Sequence, residues 1–328
     1  MDTTVFAILQ LCAALALAPL LPGIVNRVKS VAAGRRGPPV LQTWLDIAKL
    51  LGKSAVYSRT TGWVFRAGPV VSLAAAVAAL CIVPWAGGGA LLSFDGDLVL
   101  FAGLLALGRF VTIIAALDTG SAFEGMGASR EAWFASLGEP ALLLGLAAAA
   151  RTRGSVSLAG ILGVAGAVPP GAGAVVFLVT CSLFIVYLAE NSRIPVDDPN
   201  THLELTMIHE VMVLDHGGVD LAYITYGASL KLWVLGGLVV SLAVPRIGSW
   251  YLDAAAGIAG IVVVAAATGV VESIMARLRL VRVPQLLVAA LAMSALGIAL
   301  ALVTNPPSVA TNPPSVATNP PSVTGISP

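Results

Sequence analysis

The chain has 328 residues and a formal net charge of +1, with charged residues at 11% and hydrophobic residues at 58%. An average soluble protein carries charge on roughly a quarter of its residues. A soluble domain of this length could not bury so much apolar surface, so lipid must form part of the solvent. The composition therefore excludes an ordinary soluble enzyme, and the near-neutral charge gives no reason to expect nucleic acid as a partner.

Apolar runs of about twenty residues predict membrane-spanning helices, because that length at 1.5 Å per residue crosses the hydrocarbon core. Eight such runs predict an all-α polytopic membrane protein, and we number them as spans 1 to 8. They cover residues 4–24, 67–86, 98–117, 132–150, 172–189, 222–244, 251–271 and 283–303. A further apolar stretch, 156–168, is too short to span, so we expect a surface loop or an interfacial segment there.

Lysine and arginine lie mostly on one side of these spans. Segment 25–66 carries eight of them, the loops after spans 3, 5 and 7 carry five more, and the opposite side has three. Because cytoplasmic loops are enriched in basic residues, this pattern predicts a multi-pass protein with both termini outside.

The predicted membrane domain covers residues 1–304, with a cytoplasmic amphipathic segment at 35–53 and a cytoplasmic acidic loop at 190–220. Residues 305–328 repeat the heptad NPPSVAT, and a Pro-rich repeat without bulky anchors predicts a disordered tail. The three cysteines are isolated and form no CxxC pair. We therefore expect no cofactor and no metal in this chain.

The most polar stretch is AENSRIPVDDPNTHLELTMIHEVMVLDHGG, residues 189–218, which holds six of the seventeen acidic residues and all three histidines. Its prolines predict that span 5 ends near Glu190. The apolar spacing over 201–214 then predicts a short amphipathic helix capped by Asp197, Asp198 or Asn200. Its histidines are seven residues apart, so they could share a helix face but not one metal ion.

Four motifs carry a resemblance to the NADH dehydrogenase subunit 1 family, the membrane subunit of respiratory complex I. The chain is more similar to that subunit's relatives in group 4 [NiFe]-hydrogenases of the hydrogenase-4 and formate hydrogenlyase type. The motifs, in chain order, are RRGPPVLQTWLDIAKLLGK at 35–53, LDTGSAFEGMGASREA at 117–132, the polar stretch at 189–218 and ESIMARLRL at 272–280. The resemblance covers residues 1 to about 303 and implies a prokaryotic inner membrane location.

One departure separates the two branches of this family. Complex I places three alternating glutamates where this chain has Asn200, His202 and Glu204. A quinone site of the complex I type is therefore less well supported than the hydrogenase branch.

Ionisable groups inside membrane spans are costly and usually functional. A carboxylate beside a cation changes its proton affinity when a neighbouring charge changes, as a proton relay requires. Arg109 and Glu272 also lie in or at the ends of spans, where a structural ion pair is an equal explanation. The candidates for an ion path are Glu139, Glu190, Glu204, Glu210, Asp215 and Lys231. For Glu139, Glu190 and Glu204 the resemblance also implies such a role.

The charged cytoplasmic segments predict a surface on which a soluble redox module docks. The candidates for partner docking are Arg35, Arg36, Asp46, Lys49, Arg193, Asp197 and Asp198. The resemblance implies soluble hydrogenase large and small subunits that carry iron–sulfur clusters and a nickel–iron centre. It also implies antiporter-like membrane subunits as neighbours.

The leading hypothesis is a membrane subunit that anchors this module and couples electron transfer to proton or sodium movement. The alternative within the family is the quinone-facing subunit of complex I. A stand-alone secondary transporter would show inverted repeats of broken helices, and no match between the two halves is evident. A passive anchor, in which the buried charges are structural only, is the simplest alternative.

Overall fold

The computed structural model describes residues 3–87, 89–163, 171–197, 208–276 and 278–304. Within these ranges the regular structure is helical, and the predicted all-α polytopic fold is confirmed. Among the described residues, seven helices are long and apolar enough to cross a membrane, or eight if one bent pair is a single span. The helices are α1 Thr3–Leu17, α2 Leu20–Ala32, α3 Gln42–Leu51, α4 Trp63–Ile82, α5 Asp97–Asp118, α6 Ala122–Arg153, α7 Leu158–Leu162, α8 Gly173–Glu190, α9 His209–Met212, α10 Gly218–Ala243, α11 Trp250–Ile274 and α12 Val283–Thr304, with a 3-10 turn at Leu280–Arg282.

The first predicted span is broken into α1 and α2, which meet at an angle of 46°. Pro19 lies at the break and lacks the N–H that a continuous helix would need at that point. The freed carbonyls are bonded by aromatic side chains instead: Tyr226 donates to Leu15 O at 3.0 Å, and Trp44 Nε1 donates to Ala16 O at 3.1 Å. The break is thus satisfied by α10 and α3, as an apolar surrounding requires.

Helix α10 lies at the centre of the bundle. In its most apolar window 78% of the residues are buried, against 28% in α5 and in α11. It packs against α2, α3, α4, α8 and α11. Gly218 begins it in a left-handed conformation (φ 57°), where a Cβ would lie 2.5 Å from Ser54 O. A side chain at that position would therefore displace the segment that follows α3.

Helix α6 is much longer than span 4 was predicted to be. It begins at Ala122, where the sequence is polar, and continues through Pro140 to Arg153. Its 32 residues extend about 48 Å, more than the roughly 30 Å of hydrocarbon. The polar first turns are supported outside the span by α9, because Gly127 lies directly against Val211 and Ile208. Glu124 also accepts a hydrogen bond from Asp215 N at 3.3 Å.

Two shorter elements differ from the sequence expectations. In the stretch 156–168, α7 does not span, but Leu158, Ile161 and Leu162 are buried in the main core rather than lying on the surface. The amphipathic helix expected over 201–214 is represented by α9 alone, and residues 201–207 lie outside the described part of the chain.

We expect α3 and α9 to lie on the cytoplasmic side of the membrane. Arg59, in the loop after α3, and Ile247, in the loop after α10, are both exposed at opposite ends of the bundle. In a chain with all three cysteines changed to alanine, an impermeant thiol reagent added to intact cells should label Ile247→Cys and leave Arg59→Cys unlabelled. The reverse labelling pattern would show that the orientation is wrong.

Candidate functional site

A buried arginine on α5 lies at the centre of a group of charges contributed by four helices. Arg109 donates from Nη1 to Glu139 and from Nη2 to Glu190, and its Nε is 3.3 Å from Glu131 Oε1. The second oxygen of Glu190 is 3.5 Å from Lys231 Nζ. The Arg109 side chain is 5% exposed. We call these five residues the Arg109 cluster.

The helices bring this cluster together in a way that spacing along the chain does not reveal. Glu131 and Glu139 are on the same helix, separated by about 12 Å of rise, and the guanidinium of Arg109 reaches both from α5. Glu190 is the last residue of α8, and Lys231 lies on the central helix α10. A guanidinium has five N–H donors in a planar fork, so it can bind several carboxylates at once, whereas an ammonium could not match this geometry.

The cluster carries an excess of negative charge when all its members are ionised. Three carboxylates face two cations. Burying an uncompensated charge is costly, so this balance favours the uptake of one proton or one small cation. Glu139 is the least buried member, with 41% of its side chain exposed, whereas Glu190 is 6% exposed. Glu139 is therefore the member of the cluster that is most accessible from outside the helix bundle.

A cavity of about 330 Å³ opens beside the cluster. Arg109, Glu131, Glu190 and Lys231 form part of its wall. Further charged or titratable wall residues are Asp46, Arg193, Asp197, His209 and Glu210. The wall also contains apolar residues of α4, α5 and α10, among them Ala75, Ala76, Leu104 and Ile224. The cavity wall thus combines charged and apolar side chains.

The predicted ion-path residues that the structure describes lie in three different places. Glu139, Glu190 and Lys231 belong to the Arg109 cluster, and Glu210 lies in the cavity wall. Asp215 is exposed and is not part of that wall, since its loop turns toward the start of α6. Glu204 lies outside the described residues.

The structure places the predicted docking residues in different environments. Arg35, Arg36 and Lys49 are exposed, as a docking surface requires. Asp46 lines the cavity and accepts a hydrogen bond from Gln42 at 2.8 Å. Asp46 is half-buried and turned toward the cavity, and a docking role for it stays a prediction.

Arg193 and Asp197 are likewise turned inward, contrary to the docking expectation. Asp197 is 2% exposed and accepts hydrogen bonds from Ile208 N at 3.2 Å and His209 N at 3.1 Å. It therefore satisfies two backbone N–H groups at the start of α9, whereas the sequence predicted a local cap for a helix that begins near residue 201. Arg193 is directed toward Glu272 on α11. Asp198 lies outside the described residues.

Two members of the site were missed from the sequence. Glu131 stands in the polar run SREAW, which resembles a loop ahead of a span, so it gave no sign of an intramembrane role. His209 lines the cavity. Burial, and secondarily the positive charge of Lys231, lower the pKa of His209 to about 4, so its imidazole is neutral near pH 7.

Comparisons with known proteins agree with the sequence resemblance. A family model described as NADH dehydrogenase matches residues 4–303. Formate hydrogenlyase subunit 4 of Escherichia coli K12 is 33% identical over 291 residues, which cover 87% of this chain and 94% of that protein. Hydrogenase-4 component C of the same strain is 33% identical over 249 residues, covering 74% of this chain and 75% of that protein.

Two further matches are less similar in sequence to this chain. A subunit of the NADH-quinone oxidoreductase of Rubrobacter xylanophilus is 27% identical over 265 residues, covering 76% of this chain and 74% of that protein. A chain in the structure of the membrane-bound sulfane sulfur reductase, an archaeal respiratory membrane complex, superposes with a TM-score of 0.78. That match covers 92% of this chain and all of the other at 20% sequence identity, so it supports the fold.

Removing the central cation should destabilise the bundle. Arg109→Gln would leave Glu131 and Glu190 buried without their main partner, a change that costs about 3 to 5 kcal/mol in other proteins. Arg109→Lys should be intermediate, because one ammonium cannot reach three carboxylates. Thermal unfolding of the purified chain in detergent is the measurement. An unchanged midpoint for Arg109→Gln would contradict the assigned ion pairs.

Proposed function

Since this chain belongs to the NADH dehydrogenase family, we propose that it is the membrane-anchoring and ion-coupling subunit of an energy-converting, hydrogenase-type complex. The observation that carries the proposal is the Arg109 cluster, a buried and unequally charged group that opens into a cavity. A passive anchor has no need for three carboxylates and two cations among its spanning helices, because such groups are costly in a membrane.

Coupling requires that the affinity of the cluster for an ion change when the redox module bound at the α3 side of the bundle is oxidised or reduced. The cluster meets this requirement through the cavity, whose charged wall continues into the turn after α8 and into α9. A new charge or a displaced side chain in that wall alters the electrostatic potential at Glu190 and Glu131 over a short distance in a medium of low dielectric constant. Glu139 then provides the step toward the outer face of α6.

Docking is assigned to the exposed basic residues around α3. Arg35 and Arg36 follow α2, and Lys49 is on the outward side of α3. The inward side of the same helix contributes Thr43 and Asp46 to the cavity wall. A soluble module that binds the outer side of α3 would therefore lie one helix away from the cavity.

The partners that we propose are soluble hydrogenase large and small subunits and antiporter-like membrane subunits. Formate hydrogenlyase and hydrogenase-4 appear in the names of two relatives that are each 33% identical to this chain. The iron–sulfur clusters and the nickel–iron centre would belong to the soluble subunits, and this chain would contribute the ion path. We place the chain in a prokaryotic inner membrane with both termini outside.

The apolar part of the cavity lining favours one second candidate, a quinone-facing subunit of the complex I type. Ala76, Leu104 and Ile224 contribute wall surface suited to an apolar ligand. The identity of the co-purifying soluble subunits separates the two functions. A nickel-bearing large subunit would support the hydrogenase-type assignment, and NADH-oxidising flavin subunits would support the quinone-facing one.

The ion path is tested at Glu139. Glu139→Gln keeps the shape of the side chain and removes its charge and its titration. In sealed vesicles that contain the whole complex, we expect hydrogen evolution to continue while ion uptake per hydrogen falls well below that of the wild type. The matched control is Asp95→Asn, an exposed carboxylate in the loop before α5. An unchanged ratio for Glu139→Gln would remove Glu139 from the path and favour the passive anchor.

The docking surface is tested by reversing two charges. Arg35→Glu together with Arg36→Glu should release the soluble subunits from the membrane, while this chain remains inserted. The measurement is the amount of soluble subunits that co-purify with a tagged form of this chain. Arg153→Glu, at the opposite end of the bundle, is the control and should leave assembly intact. Full assembly of the double variant would place docking elsewhere.

A further inference from the structure

A second group of buried charges lies at the end of α11, outside the Arg109 cluster. The side chain of Glu272 is fully buried, with an exposed fraction of 0%. Its Oε2 is 2.9 Å from Lys29 Nζ on α2, and its Oε1 is 3.6 Å from Arg193 Nη1. The proposed function does not use this group, although its arginine lines the same cavity as Glu190.

The backbone holds Arg193 close to Glu190. Both belong to the turn that ends α8, in which Arg193 N donates to Leu188 O at 2.9 Å and Val196 N donates to Arg193 O at 2.9 Å. Leu278 N donates to Pro195 O at 3.0 Å, which fastens the turn to the segment after α11. The side chain of Arg193 is 11% exposed, so water does not solvate it well.

The Arg193 guanidinium faces Glu272. Arg193 also shares the wall of the cavity with other carboxylates, of which Glu190 is three residues away along the chain. A buried cation that loses its counter-charge is strongly unfavourable, so it pairs with another carboxylate if one is accessible. Glu190 is already bound by Arg109 and Lys231. A third cation there would compete with both.

We propose that Glu272 is a positioning residue, which holds Arg193 away from Glu190 and so preserves the pairing within the Arg109 cluster. The inference rests on the proposed function, because it concerns the charge environment of the proposed ion path. It assigns different tasks to the two contacts of Glu272. The contact with Arg193 controls coupling, and the contact with Lys29 joins α2 to α11.

The competing explanation is mechanical. Glu272 contacts residues of α2 and of the turn after α8, so its only task could be to clamp three segments together. The two explanations differ in what happens when Arg193 is removed as well. If the harm in a Glu272 variant comes from an unpaired Arg193, deleting that cation relieves it. If the harm comes from a lost clamp, deleting Arg193 leaves the clamp broken.

The experiment compares four forms of the whole complex in sealed vesicles: wild type, Glu272→Gln, Arg193→Gln with Glu272→Gln, and Lys29→Gln. The readout is ion uptake per hydrogen evolved. We expect Glu272→Gln to lower this ratio by about threefold or more, as the loss of a buried counter-charge requires. The double variant should recover most of the wild-type ratio, and Lys29→Gln should retain it.

A double variant that is as impaired as Glu272→Gln, or a Lys29→Gln variant that is equally impaired, would overturn the proposal in favour of the clamp. An unchanged ratio in Glu272→Gln would also overturn it. If Glu272→Gln does not assemble, the yield of complex becomes the readout, and the proposal requires that the added Arg193→Gln restore it. Glu139→Gln is tested in the same assay to distinguish a failure of the proposed ion path from a failure of the Glu272 proposal. A normal ratio in Glu139→Gln rejects the ion path itself, whereas a low ratio confines any failure to Glu272.

Discussion

An arginine buried among membrane-spanning helices requires counter-charges from its neighbours, because neither lipid nor an apolar core can solvate a guanidinium. In this protein α6 and α8 supply them to Arg109 as three carboxylates. The third carboxylate exceeds what neutrality needs once Lys231 is counted. The four helices α5, α6, α8 and α10 must therefore be placed so that their charged side chains meet within hydrogen-bond distance of one another. The resulting group has one carboxylate more than its two cations neutralise.

The rest of the bundle holds the Arg109 cluster in place. Helix α10 packs against seven of the other described helices, so Lys231 is shielded from lipid without being withdrawn from the cavity. The break between α1 and α2 exposes two carbonyls that Tyr226 and Trp44 satisfy. Trp44 lies on α3, which also contributes Thr43 and Asp46 to the cavity wall and has Lys49 on its exposed side. The helix that we assign to docking is thus bonded to the first span and forms part of the cavity wall, which gives a physical connection between a bound module and the cluster.

Much of the architecture could be predicted from the sequence, because the length of an apolar run is set by the thickness of the membrane. The spans at 98–117, 172–189 and 283–303 agree with α5, α8 and α12 to within a few residues. The first span was predicted as one helix since its prolines lie inside an uninterrupted apolar run. Helix α6 was predicted too short because its polar first turns are stabilised by contacts with α9, which are tertiary and leave no local pattern.

The site was predictable only in part, for a related reason. Glu139, Glu190 and Lys231 stood out as charges in or beside apolar runs, whereas Glu131 was hidden in a polar segment that belongs to the same helix. The inward direction of Asp46, Arg193 and Asp197 depends on how a turn and an amphipathic helix pack, so hydropathy placed them on the surface. Asp46 contacts Gln42, Arg193 contacts Glu272 and Asp197 contacts the start of α9, so the partners belong to several elements.

The central proposal is that the Arg109 cluster forms part of an ion path, and where that ion is a proton a carboxylate of the cluster changes its protonation when the complex is reduced. Redox-induced infrared difference spectroscopy of the assembled complex tests this directly, since a protonated carboxyl has a carbonyl stretch that a carboxylate lacks. We predict such a band in the wild-type spectrum and its loss in Glu139→Gln or Glu131→Gln. Identical difference spectra for the wild type and both variants would contradict the account.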